Sequence, residues 1–190
     1  MSQALPMEVV SQTQIALDRD VFFRRMLREL TGTIEAIVGR EDAGGYVAAV
    51  GAAIGDWINA AYHAEMGPED FDLDTVASIF VDLKNRIEGG FYVISVDPER
   101  IVLGNRSCPF REHAINRPSL CMMTSNVFGR IAADNLGYAR VALDRTIAEG
   151  ADECHITVHL RPRPGVAADE REYFRLPPEA QPAPRADADG

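Results

Sequence analysis

The sequence predicts an α+β fold in which a helical half, residues 18–90, precedes a ββαββ antiparallel-sheet half, residues 91–160. Before the Gly89-Gly90 pair, apolar residues recur in three series at spacings of three and four residues, which is typical of amphipathic helices. After this pair, short apolar and β-branched runs are separated by turn residues, which is typical of strands. The change of period therefore divides a single domain into two structural halves.

The composition is that of an ordinary globular domain. The chain has 190 residues, of which 46% are hydrophobic and 25% charged. Its net charge of −10 disfavours direct binding of nucleic acid, because phosphate contacts need clustered Lys and Arg. We recognise neither a secretory signal nor an apolar run long enough to span a membrane. We therefore expect a cytoplasmic protein.

Both ends of the chain are predicted to lie outside this domain. Residues 1–17 have the composition of a leader or linker. Residues 161–190 are rich in Pro, Ala and acidic residues and lack apolar periodicity, so we expect a disordered tail.

The first helix is predicted to start at an Asp18 or Asp20 N-cap and to end near Gly39. We expect its apolar side to pack on the core and its charged side to face solvent. The alternative is a dimerising helix coupled to a partner domain, although two heptads are too few to predict a coiled coil. The apolar side comprises Phe23, Met26, Leu27, Leu30, Ile34 and Ile37, and the charged side comprises Arg24, Arg25, Arg28 and Glu29.

The second helix is predicted to run from Glu41 or Asp42 to about Met66. Gly51 and Gly55 lie on one small-residue face of it. Because a glycine inside a helix costs about 1 kcal/mol relative to alanine, we expect this face to allow close packing against another helix. A ligand cavity along the same face is the alternative.

The remaining elements follow from caps and turn residues. An Asp72 or Asp74 N-cap opens a third helix, which stops at Gly89-Gly90. The second half is predicted to contain a hairpin of Phe91–Val96 and Ile101–Leu103, a helix from Pro118 or Ser119 to Gly137, and strands Tyr138–Leu143 and Cys154–Leu160.

The three cysteines of the chain all lie in the second half. Cys108 and His113 share a loop, Cys121 begins a helix, and Cys154 begins the last strand. Three sulfur ligands and one imidazole are the donor set of a zinc site or an iron–sulfur cluster. We therefore predict a metal site of Cys108, Cys121 and Cys154, with His113 as the candidate fourth ligand.

Local geometry supports this ligand set. Alternation along the last strand points Cys154 inward and its neighbour His155 to the opposite face, which disfavours His155 as a ligand. The helix N-terminus is expected to lower the pKa of the Cys121 thiol. Pro109 should hold Cys108 in an extended conformation.

Two other interpretations of the cysteines stay open. Each cysteine could be a small buried hydrophobic residue, or a low-pKa Cys121 could carry out thiol redox chemistry. The sequence has no nucleophile elbow, Walker loop, zincin helix or dinucleotide-binding loop. We expect the protein not to be an enzyme.

Several longer motifs resemble the methanogen output domain family, which consists of predicted signalling modules. The resemblance covers residues 22–160 and implies a role in signal transduction. The motifs are residues 82–92, Cys108-Pro-Phe110, residues 118–129, and the turn from Gly150 to Cys154.

The region from Cys108 to Cys154 is also similar to the cysteine-rich sensor region of winged-helix repressors of iron–sulfur assembly operons. That resemblance implies a cluster held by Cys108, Cys121 and Cys154, although the chain has no winged helix ahead of the motif and lacks one cysteine of the fuller set. The mixed outline is also similar to four-vinyl reductase-type sensing domains, where zinc is structural.

We therefore expect a regulatory sensor or output domain, in a homodimer, that signals to an unidentified protein partner through its N-terminal helices. We prefer an iron–sulfur cluster to zinc because of the repressor-like spacing. The rival hypothesis is a small-molecule-binding module with zinc as a staple only. In it, the glycine-rich helix and the Phe91-Tyr92 region would line an apolar pocket.

Overall fold

The computed structural model describes residues 14–165 and 170–177. Within them the helices are α1 (Arg19–Val38), α2 (Arg40–Met66), α3 (Leu73–Asn85) and α4 (Cys121–Leu136). The strands are β1 (Phe91–Asp97), β2 (Arg100–Asn105), β3 (Tyr138–Arg145), β4 (Cys154–His159) and β5 (Arg171–Phe174). Short 3₁₀ turns lie at Arg111–Ala114, Pro118–Leu120 and Ile147–Glu149. None of the helices in these two ranges is long and apolar enough to cross a membrane.

The five strands form one sheet in the order β1-β2-β4-β3-β5, and all neighbouring strands are antiparallel. The predicted α+β class is therefore confirmed, with most helices N-terminal to the sheet. Strand β4 lies at the centre, and its Ile156 and Val158 are buried on the face that α3 and α4 cover. The rings of Phe80 in α3 and Phe128 in α4 stack at 4.3 Å in this core.

The small-residue face of α2 packs against α4, which confirms the predicted close helix–helix contact. A Cβ atom added at Gly51 would lie 2.9 Å from the Cβ of Asn126, and one added at Gly55 would lie 3.0 Å from the Cβ of Arg130. The alternative of a ligand cavity along this face is wrong, because α4 fills the space.

The Phe91-Tyr92 region, which was predicted to line the same small-molecule pocket, is also packed. Phe91 is buried in the core. The ring of Tyr92 lies directly over Gly104, and its hydroxyl donates a hydrogen bond to Glu153. The proposed pocket between the glycine-rich helix and these aromatic residues is therefore not formed.

Helix α1 has the predicted ends, but the side that faces the domain is not the predicted apolar side. Asp18 accepts a hydrogen bond from the backbone N–H of Val21, and Gly39 ends the helix. However, Arg24 is buried, at 8% exposure, whereas Phe23 and Leu30 are 49% and 52% exposed. The prediction that the apolar side packs on the core is wrong for these residues. Arg24 tolerates burial because it pairs with Asp20 and Glu88.

The prediction of a disordered tail from residue 161 onward is wrong for residues 171–174. These residues form β5, which pairs with β3 at the sheet edge. Tyr173 is buried, and its hydroxyl lies 3.1 Å from the hydroxyl of Ser125 in α4. Residues 166–169 and 178–190 of the predicted tail, and residues 1–13 of the predicted leader, lie outside the described residues.

Candidate functional site: three thiols around a buried lysine

The centre of the candidate site is Lys84, the only lysine in the chain. It lies near the C-terminal end of α3, where its side chain is buried. Its Nζ donates a hydrogen bond of 2.9 Å to the hydroxyl of Thr124. The same atom lies 5.2 Å from the ring centroid of Phe91 and 5.3 Å from that of Phe128. These aromatic faces attract a cation but do not neutralise it.

The pKa of Lys84 is set by burial and by sulfur. Burial lowers its pKa to about 8, and the thiols of Cys108, Cys121 and Cys154 act in the opposite direction. Within residues 14–165 and 170–177, no Asp or Glu forms an ion pair with Lys84. The groups that can balance this buried charge are therefore the three thiols.

Cys154 points into the core, as the strand alternation predicts. Its sulfur accepts a hydrogen bond from the backbone N–H of Ile147 at 3.3 Å and a longer one from Asn105 at 3.9 Å. His155 points to the other face of the sheet, where its ring lies 2.8 Å from Asp144.

Cys121 is the first residue of α4, but its pKa shifts in the direction opposite to the predicted one. Its pKa is raised to about 12, chiefly by burial and then by the neighbouring Cys154 and Cys108. The 3₁₀ turn Pro118–Leu120 continues the helix backwards, so the N–H of Cys121 is already bonded to carbonyls of that turn. The expected stabilisation of a thiolate by a free helix end is therefore lost. The side chain of Thr146 is hydrogen-bonded to this thiol.

Cys108 lies half-buried in the loop after β2. Burial raises the pKa of its thiol, while the backbone N–H groups of Phe110 and Arg111 oppose that shift. Cys108 also acts electrostatically on Cys121 and Cys154. The loop, the helix and the strand thus bring all three thiols into one electrostatic cluster around Lys84.

The cluster does not have the geometry of a closed metal site. In the part of the chain that the structure describes, no three His, Cys, Asp or Glu side chains are arranged to hold a metal ion. All three cysteines are free thiols. The ring Nε2 of His113 lies 3.7 Å from Glu112. Metal ligation by Cys108, Cys121, Cys154 and His113 therefore stays a prediction.

Hydrogen bonds connect the cysteine loop to α1. Arg28 of α1 donates to the backbone carbonyls of His113 at 2.5 Å and Ile115 at 2.9 Å. Glu88 accepts hydrogen bonds from Arg24 of α1 at 3.3 Å and from Arg111 of the loop at 2.7 Å. Any displacement of the loop after Cys108 would therefore act directly on α1.

Sequence reasoning missed Lys84, although a signal was present. The core-facing positions of α3 include Ala77 and Phe80, and Lys84 follows them by seven and four residues. A lysine at a core position of an amphipathic helix is unusual, because lysine is almost never fully buried unless paired. The three cysteines were found because their residue type alone marks them.

The fold and the cysteine cluster describe a class of protein: a small α+β domain with three thiols near a buried lysine. The family model for methanogen output domain 1 matches residues 26–159. The chain therefore belongs to the methanogen output domain 1 family, which confirms the resemblance predicted from its motifs. Membership identifies it as an output domain of a signalling system. No curated protein matches the chain.

Proposed function

We propose that the chain is a metal-dependent regulatory domain whose switch is the cluster of Cys108, Cys121 and Cys154 around Lys84. In this proposal the three sulfurs hold an iron–sulfur cluster or a zinc ion in a cytoplasmic protein. The site binds and signals and does not catalyse a reaction. The observation that carries the proposal is a buried ammonium group for which three thiols are the only candidate counter-charges among the described residues.

Charge balance favours a thiolate-bound metal. A buried charge without a partner costs several kcal/mol, and protonated thiols leave Lys84 without one. Three thiolates around a dipositive ion or cluster core carry one net negative charge, which Lys84 neutralises. The backbone N–H of Ile147 and the amide of Asn105, which donate hydrogen bonds to the Cys154 sulfur, would orient it as a ligand.

The three sulfur donors also fit zinc or an iron–sulfur cluster. Thiolate sulfur is the ligand that zinc and iron–sulfur clusters share. Because the thiols of Cys121 and Cys108 have raised pKa values, binding would release protons and would depend on pH. The metal would supply a cross-link between loop, helix and strand that oxidation or metal loss can remove.

The route from this site to the surface runs through the cysteine loop. Loss of the cross-link at Cys108 would free the loop that carries Arg111 and His113. Arg28 and Glu88 would then lose fixed partners, and α1 would be released from the domain. This is a local packing change with a distant effect on a helix, as in other ligand-controlled switches.

Anaerobic purification followed by metal analysis and visible absorption tests the proposal. We expect stoichiometric iron with visible charge-transfer bands, or stoichiometric zinc without them. Serine substitution of any one of the three cysteines should remove most of the metal. His155→Ala is the matched control, because that ring lies on the opposite face, and it should retain the metal. His113→Ala decides whether His113 is the fourth ligand.

Protein that contains neither iron nor zinc, even after anaerobic reconstitution, would contradict the proposal. So would cysteine variants that retain the wild-type metal content.

A further inference from the structure

The outer side of α1 is apolar and uncovered. Five hydrophobic side chains of this helix are between 38% and 76% exposed, although the helix makes many contacts on its other side. They are Phe22 (53%), Phe23 (49%), Met26 (38%), Leu30 (52%) and Ile37 (76%). On its other side, α1 is attached to its own domain by polar contacts of Arg24, Arg28 and Glu35.

These exposed residues are spaced as in a helix–helix interface. Phe23, Met26, Leu30, Thr33 and Ile37 follow one another at intervals of three, four, three and four residues, and all five are exposed. We call these five residues the α1 seam. Alternating intervals of three and four place side chains along one line of a helix, as in left-handed helix bundles.

Helix α2 carries a second line of the same kind. Tyr46, Val50, Ala53 and Trp57 follow at intervals of four, three and four residues and are exposed. They lie away from the glycine face that packs on α4. We call these four residues the α2 seam.

Charge on α1 favours a second copy of the same chain as the partner. The whole chain has a net charge of −10, so two copies repel each other over most of their surfaces. The exposed charged residues of α1 are Arg19, Asp20, Arg25 and Glu29, which sum to zero. Two copies can therefore approach along the α1 side of this face without net repulsion, and Arg25 and Glu29 provide both signs at its border.

The exposed area is close to what a stable dimer needs. An aromatic side chain carries about 150–250 Å² of surface, so four half-exposed rings present roughly 400 Å². The four rings are Phe22 (53%), Phe23 (49%), Tyr46 (58%) and Trp57 (63%). With the aliphatic residues of both seams, the exposed apolar area summed over α1 and α2 exceeds the few hundred Å² of the largest apolar patch on a typical monomer and approaches the ~800 Å² per partner of a standard interface.

We infer that the α1 and α2 seams form a homodimer interface, in which the seams of one chain pack against those of a second copy. The polar attachment of α1 to its own domain leaves its apolar side available for this contact. The inference concerns assembly and does not depend on a metal at the cysteine site.

Sedimentation equilibrium of the full chain tests this inference. We expect the wild-type protein to have twice the 20.8 kDa mass of the chain at micromolar concentration. The double variant M26E/L30E should be monomeric, because it places four carboxylates in the interface. The matched control V93E/I94E changes two residues of similar exposure, 41% and 47%, on β1, and should remain dimeric. Circular dichroism verifies that each variant is folded.

The fluorescence emission of Trp57 provides a second measurement of dimerisation that needs no variant. This residue is the only tryptophan in the chain and belongs to the α2 seam, so its emission should shift to longer wavelength as dilution dissociates the dimer. A wild-type chain that remains at 20.8 kDa would overturn the inference. A folded M26E/L30E variant that remains dimeric, or a Trp57 emission that is independent of dissociation, would also overturn it.

Discussion

At the scale of single residues, Lys84 distinguishes the cluster from three unrelated buried cysteines. A small apolar thiol needs no charged neighbour, whereas a fully buried ammonium group needs an anion. Folding places the two kinds of group together, and the sequence could not show this because α3 and the cysteine elements are far apart in the chain. The residue types were predictable, but their convergence required the tertiary structure.

Replacing Lys84 by methionine should stabilise the metal-free protein and weaken metal binding. At pH 7 we expect a gain of about 1–4 kcal/mol in the free energy of unfolding, the range found when buried ionic groups are replaced by apolar ones. Urea unfolding of the metal-free proteins measures the gain, and metal titration measures the loss of affinity.

The gain in the free energy of unfolding from Lys84→Met should also depend on pH. The folded-state pKa of Lys84 is about 8, below its unfolded value of about 10.4. The unfolded chain therefore binds the proton more tightly, and the cost of burying Lys84 is complete below pH 8 and declines as the pH rises. The difference in the free energy of unfolding between the Lys84→Met variant and the wild type should therefore decrease above pH 8. A variant that is less stable at pH 7 would contradict this description of Lys84.

At the scale of elements, periodicity predicted most helices and strands but not which side of α1 is buried. The pattern identifies an apolar side, and a single domain usually buries it. In α1 the ion pairs of Arg24 and the hydrogen bonds of Arg28 fix these two arginines against the domain, while Phe23 and Leu30 stay exposed. Strand β5 was missed because its four residues lie in a Pro-rich and Ala-rich context and only Tyr173 enters the core.

The docking of β5 depends on a glycine in α4. A Cβ atom at Gly129 would overlap the ring of Tyr173. Alanine gains about 1 kcal/mol over glycine in a helix, but overpacking typically costs about 1–3 kcal/mol. We therefore expect Gly129→Ala to be destabilising on balance, as measured by urea unfolding.

The same substitution in a Tyr173→Ala background should be neutral or stabilising, because the clash is removed. A Phe174→Ala background on the same strand is the matched control, since that side chain is 58% exposed. In this background Gly129→Ala should still be destabilising. If Gly129→Ala stabilises the wild-type chain, then Tyr173 is not packed on α4 in solution.

At the scale of the whole molecule, one loop connects the buried thiols to the helical layer. Cys108 lies at one end of this loop, and the carbonyls of His113 and Ile115 hold Arg28 further along. Sequence analysis predicted that a signal passes through the N-terminal helices. It could not identify the hydrogen bonds of Arg28 that would carry the signal, because they join residues 85 and 87 positions apart.

The most direct test of the central claim is an anaerobic cobalt(II) titration of the reduced chain, followed by absorption spectroscopy. Thiolate-bound cobalt(II) has sulfur-to-metal charge-transfer bands, so the spectrum reports whether the sulfurs share one ion. We predict saturation at one equivalent per chain, with loss of the bands in each of Cys108→Ser, Cys121→Ser and Cys154→Ser and retention in His155→Ala. A wild-type spectrum without these bands, or bands of full intensity in any one cysteine variant, would contradict a common site.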